Sequence, residues 1–226
     1  MATSNADKAD KVAKILYILK NNFSIPEWAR SQTTPFQVLI RTVLSQATAS
    51  RNTARAFENL SRKFSITPQA LVEADVKEIE KAIRVAGLYR NKSKVIKNIS
   101  RVILEQFNGS LDFIYTSPLE EARKTLLTIP GVGPKTADVT LLFCAKKPTI
   151  PIDTHVNRVS KRLGLAPPKG DYEETRKSLQ LLYQPEDYLA VHLLLIALGR
   201  RYCRARKPLC KLCPVNELCP SKHIED

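Results

Sequence analysis

Four cysteines, Cys203, Cys210, Cys213 and Cys219, have the spacing C-x6-C-x2-C-x5-C. Four thiolates so close along the chain can wrap one compact inorganic centre. Structural zinc prefers two close cysteine pairs, and only Cys210 and Cys213 make one. All-cysteine ligation at uneven spacing suits a [4Fe–4S] cluster better, with zinc as the alternative. Disulfides fit poorly. The N-terminal residues MATSNADKADKVAK carry no apolar secretion core, so the expectation is an intracellular protein.

A second chemical feature is Ile129-Pro130-Gly131-Val132-Gly133, followed by Pro134 and Lys135. Pro130 stops one helical run. Gly131 and Gly133 permit positive φ and a close backbone approach. A helix starting near Pro134 would present free N–H groups and a positive dipole end to a phosphate. Lys135 falls in its first turn, where the dipole disfavours the charged amine. Partial burial would lower its pKa further, and an amine so tuned can attack carbon. Its plainer role is a solvated lysine touching phosphate.

Asp153, in Ile150-Pro151-Ile152-Asp153-Thr154-His155, precedes the apolar-periodic run Val156, Val159, Leu163 and is an N-cap candidate. A carboxylate fixed by helix N–H groups could deprotonate a nucleophile or stabilise an oxocarbenium-like sugar, as glycosyl-bond cleavage requires. Its plainer role is the cap alone. His155 is either a helper, a nucleic-acid contact or a structural histidine. His192 lies in an apolar run and reads as core, and Cys144 as a buried free thiol.

The elements that must hold these residues are helical. Val12, Ile15, Leu16 and Leu19 recur at one-face spacing, as do Phe36, Leu39, Ile40, Val43 and Leu44 behind Thr34-Pro35. Asp75 with Glu78, Ser117 with Glu120, and Asp171 with Glu174 have capping-box spacing. Val95, Ile99, Val102 and Ile103 mark a helix that ends near Asn108-Gly109. No stretch alternates with period two. The reading is an all-α protein of about ten helices, with breaks at Pro148–Pro151 and Ala166–Gly170.

The chain has 226 residues, enough for one large or two small domains. Its 36 Lys and Arg outnumber 22 Asp and Glu, a net charge of +14 that favours a polyanionic partner. The longest apolar stretch, Tyr188–Leu198, is far shorter than the ~20 residues of a membrane span. The excess charge is concentrated. Residues 84–101 carry Arg84, Arg90, Lys92, Lys94, Lys97 and Arg101 without an acid. Residues 200–211 carry Arg200, Arg201, Arg204, Arg206, Lys207 and Lys211, again without one. A rigid basic loop of that kind is a phosphate clamp.

Taken together, LSQAT at 44–48, AGLYRNKS at 86–93, IPGVGPKTADV at 129–139, IDTHVNRV at 152–159 and the cysteine loop resemble the endonuclease III family. This is the branch of the helix-hairpin-helix DNA glycosylases that carries an iron–sulfur loop. The resemblance covers about residue 35 to residue 219. It implies an all-α, two-domain fold: a six-helix barrel with the hairpin over residues 28–147, and a [4Fe–4S] domain from residues 1–27 plus 148–226. DNA would bind in the cleft between them.

It further implies a bifunctional glycosylase and AP lyase that acts as a monomer on double-stranded DNA, removing oxidised pyrimidines and nicking abasic sites. By resemblance, Lys135 and Asp153 are catalytic. Leu88 is the wedge that enters the duplex, and Gln46 fills the gap left by the base. Gly131, Gly133, His155, Arg204, Arg206 and Lys207 contact DNA, and the four cysteines hold the cluster. The segment Pro35–Gln46 is one residue shorter than in some bacterial members, and Pro134 replaces an Arg found in some relatives. Two other readings stay open. One is a monofunctional, mismatch-specific thymine, uracil or adenine glycosylase. The other is a non-enzymatic DNA-binding hairpin protein with a zinc loop.

Overall fold

The structure is a computed structural model that describes residues 5–30 and 33–222. Among these residues every regular element is helical: twelve α-helices with short 3-10 turns, and no strand. The expected all-α class stands. The expected count of ten falls short because two helices of the middle region have only six and four residues. Helices that short show no apolar period. Residues 33–147 pack as one compact unit, and residues 5–30 with 148–222 as another.

The first helix, α1 (Asn5–Asn22), belongs to the second of these units. The middle unit runs through α2 (Pro35–Ser45), α3 (Ser50–Lys63), α4 (Pro68–Glu73), α5 (Val76–Ile83), α6 (Tyr89–Gln106), α7 (Phe113–Thr116), α8 (Leu119–Leu127) and α9 (Pro134–Ala145). Thr34 and Gln37 form a reciprocal capping box that starts α2, with Pro35 at its first position. Asp75 caps α5 by accepting from the N–H groups of Lys77 and Glu78. Ser117 and Glu120 do not form the expected box. Ser117 instead closes α7, its N–H donating to the Phe113 carbonyl. The core joins Leu39, Ile40, Val43 and Leu44 of α2 to Ile96, Ile99 and Ile103 of α6 and to Leu126 and Leu141. Each such burial contributes about 1.5–3 kcal/mol.

The other unit contains α1, α10 (Thr154–Arg162), α11 (Tyr172–Leu182) and α12 (Tyr188–Arg201). Asp171 and Glu174 make the expected capping box at α11. Val12, Ile15, Leu16 and Leu19 are the buried face of α1, which packs on α12. Gly199 allows α10 to approach α12 closely. A Cβ there would lie 3.0 Å from the His155 Cβ and 3.1 Å from a Val159 methyl. His192 is buried as expected, its Nδ1 2.8 Å from the Pro151 carbonyl. No helix among the described residues is long and apolar enough to cross a membrane.

Candidate active site

The hairpin lies in the middle unit. Its turn is closed by Val132 N–H donating to the Ile129 carbonyl at 3.0 Å. Gly131 has φ +92, and a Cβ there would meet a Val95 methyl at 2.9 Å, so glycine is required both by conformation and by packing on α6. Gly133 differs from expectation. Its φ of −93 is open to any residue, and nothing lies within 4 Å of where its Cβ would be. It caps α9 without a side-chain bond, and what it supplies is open space in front of the helix start. Pro134, at the first helical position, brings no N–H, so the donors facing that space come from Gly133, Lys135 and Thr136. Lys135 is half-buried in the first turn.

One turn further along, Asp138 is fully buried. Arg123 of α8 grips it with two bonds, Nε–Oδ1 at 2.9 Å and Nη2–Oδ2 at 3.3 Å. This pair pins together the two helices of the hairpin. The sequence reading missed it; the signal was an acid inside an otherwise apolar helical run.

The same unit holds Gln46 and Leu88. Gln46 is exposed at the C-cap of α2, just before Ala47 at φ +51. Leu88 is 62% exposed, so it is not a buried turn residue. Its φ of +47 and ψ of +27 place it in the left-handed region, following Gly87 at φ +65. A leucine held there carries about 1–2 kcal/mol of backbone strain.

The other unit holds the remaining groups. Asp153 is the N-cap of α10, its Oδ1 accepting from the Val156 N–H at 2.7 Å. His155 has its pKa lowered by burial, then by the nearby cations Arg158 and Arg200, against an upward pull from Asp153. Arg158 reaches across to the cysteine loop. Its Nε donates to the Cys203 carbonyl at 3.0 Å, and its Nη2 lies 3.2 Å from the His155 ring. Arg162, one turn later, donates to the carbonyls of Arg204 at 2.6 Å and Ala205 at 3.2 Å. Neither arginine was singled out from sequence, although both stand on α10 without a local acid.

The four cysteines line one pocket with Leu163, Leu198 and Tyr202. Burial pushes the Cys213 thiol up to about 11, and Cys203, Cys219 and Cys210 each add to the push, so the four sulfurs share one electrostatic neighbourhood. An Arg162 Nη1 lies 3.6 Å from the Cys203 sulfur. Among the described residues, no three His, Cys, Asp or Glu side chains converge as a single bound ion needs. Arg204, Arg206 and Lys207 are exposed on the loop. Within the basic run 84–101, Lys92 is buried, and the half-buried Lys97 donates to the Ala74 carbonyl at 2.5 Å. Cys144 is half-buried, with its thiol raised to about 11 by burial.

Comparison with known proteins accounts for this set of parts. Residues 40–185 match the family described as HhH-GPD superfamily base excision DNA repair protein. An endonuclease III of Sulfolobus acidocaldarius is 38% identical over 81% of this chain and 81% of its own. The chain belongs to the endonuclease III family. A solved trapped endonuclease III–DNA covalent intermediate, in its estranged-adenine complex, superposes with a TM-score of 0.83. It is 31% identical and covers 98% of each chain. A thermostable thymine-DNA glycosylase shares the fold at 22% identity, with a TM-score of 0.75 over 97% of this chain and 99% of its own. A base-excision DNA-repair enzyme of the endonuclease III family is therefore the frame for the residues above.

Proposed function

We propose that this protein is a bifunctional DNA glycosylase and AP lyase that removes oxidised pyrimidines from double-stranded DNA, with Lys135 as nucleophile and Asp153 as its carboxylate partner. The observation that carries the reading is Lys135 itself, held in the first turn of α9 directly behind the hairpin. The target nucleotide must leave the stack before its sugar can be reached. The Lys135 amine then bonds to C1′, the bond from C1′ to the base nitrogen breaks, and the base departs with a proton. Opening of the sugar leaves a Schiff base. Loss of a C2′ proton expels the 3′ phosphate and nicks the strand. Asp153, with one oxygen committed to the helix cap, keeps the other for deprotonating the amine or facing the charged sugar.

The hairpin backbone holds a phosphate without reading sequence. Leu88 and Gln46, both exposed, enter the space vacated by the flipped nucleotide. His155, Arg204, Arg206 and Lys207 contact the DNA backbone. The compact unit of residues 33–147 serves as the hairpin domain and that of residues 5–30 with 148–222 as the cluster domain; one copy of the chain suffices for the reaction.

Borohydride trapping with a duplex containing an oxidised pyrimidine tests the core of this proposal. The wild-type protein gives a covalent adduct and Lys135→Ala gives none. A Lys135→Ala protein that still nicks would place the nucleophile elsewhere.

Cys203, Cys210, Cys213 and Cys219 fit a [4Fe–4S] cluster: four thiols around one pocket, unevenly spaced along the chain, with a guanidinium beside them. When bound, the cluster supplies rigid cross-linking of the loop. Cysteine ligates as the thiolate, so assembly releases protons and is favoured by higher pH. The purified protein is expected to be brown, with about four irons per chain. A colourless protein carrying zinc would decide for the other metal.

A further inference from the structure

Lys92 is 3% exposed, on α6, one turn beyond Leu88. Its ammonium has three donors and meets three oxygens: the Leu44 carbonyl at 2.9 Å, the Ala86 carbonyl at 2.9 Å and the Thr48 hydroxyl at 2.6 Å. The Thr48 hydroxyl lies 2.5 Å from the Ala86 carbonyl and 3.0 Å from that of Gln46. The Lys92 backbone N–H donates to the Leu88 carbonyl at 2.9 Å. Leu44 and Thr48 bracket Gln46, and Ala86 precedes Leu88 by two residues. One side chain therefore ties together the two segments that present the two exposed residues.

Burying a cation is costly, and burial lowers the pKa of this one. The three acceptors offset that cost. One of them, the Leu44 carbonyl, lies in the last turn of α2, where the helix dipole attracts a cation. An aliphatic side chain would fill the same volume without the penalty, but would not hold three carbonyl and hydroxyl oxygens to one point.

We infer that Lys92 is a positioning residue for duplex opening: it sets the spacing of Gln46 and Leu88 from inside the protein and touches no DNA itself. The inference rests on the reading of those two residues as the ones that enter the opened duplex. It also sets Lys92 apart from the exposed charges of the basic run 84–101.

The test uses the full protein with Lys92→Met, which keeps the stem and removes the ammonium, and Thr48→Val, a milder cut of the same node. Rates of base removal are compared on a fully paired duplex and on one whose lesion lies in an unpaired bubble, where the opening is already done. The duplex-to-bubble ratio is expected to fall about ten- to a hundredfold in Lys92→Met and less in Thr48→Val. Leu88→Ala serves as the reference. Hydrogen exchange at the amides of 46–48 and 86–88 is expected to quicken in both node variants while the α8 and α9 amides stay protected. A ratio unmoved in both node variants while Leu88→Ala lowers it overturns the inference, as does unchanged exchange at the two segments. A ratio unmoved in Leu88→Ala instead strikes the reading of Leu88 as the wedge. Should Lys92→Met not fold, Thr48→Val carries the same two readouts.

Discussion

Leu88 combines a conformation that disfavours leucine with an exposure that gives the side chain little in return. Asparagine tolerates the left-handed region and is favoured at helix starts, where Leu88 makes no side-chain cap. Leu88→Asn is therefore expected to raise stability by about 1 kcal/mol in urea titration. The same variant should lower incision of a paired duplex. A loss of stability would show that the leucine makes stabilising contacts within the free protein that outweigh its backbone strain. Asp153 presents the opposite case, because the residue proposed for chemistry also serves the fold. Its cap role is satisfied by any residue with a suitable oxygen, and the chemistry needs a charge.

At the scale of elements, the two hairpin glycines separate stability from binding. Gly131→Ala puts a Cβ against Val95 at positive φ and should cost about 1–3 kcal/mol, read as a lower melting temperature. Gly133→Ala meets no neighbouring atom and should leave the melting temperature unchanged. Its methyl would stand in the space before α9, so DNA binding should weaken. If Gly133→Ala bound DNA normally, the backbone at that helix start would not be a phosphate site. What the sequence revealed divides along a similar line. Thr34, Asp75, Asp153 and Asp171 were legible as caps because a cap is chemistry between residues two or three apart. The four cysteines and Lys135 were legible from spacing. Lys92 was not, since its partner Leu44 is 48 residues away and a lysine in a basic run looks like solvated surface. The Arg123–Asp138 pair was hidden for the same reason, its members lying on consecutive helices but meeting only when those helices pack. The extended φ of Gly133 was also beyond reach, because glycine permits a positive φ without requiring one.

Over the whole molecule, the +14 charge is neither an even coat nor wholly available to a ligand. Arg84, Arg90, Lys94 and Arg101 remain exposed in one run, and all six basic residues of 200–211 in the other. Replacing Arg204, Arg206 and Lys207 together by glutamine should lower affinity. It should also make the slope of log K against log salt shallower by up to about 3, close to one unit per lost phosphate contact. An unchanged slope would move the contacts elsewhere. The order of the units along the chain has a consequence in time. Residues 33–147 are contiguous and can pack as soon as they are made. The other unit needs α1 together with α12, and α12 begins at Tyr188. At about 5–20 residues per second, the apolar stripe of α1 spends roughly ten to thirty seconds outside the ribosome before its partner exists. For that interval Val12, Ile15, Leu16 and Leu19 are a sticky face on a nascent chain, and α1, made before the other described helices, is among the last of them to find its place.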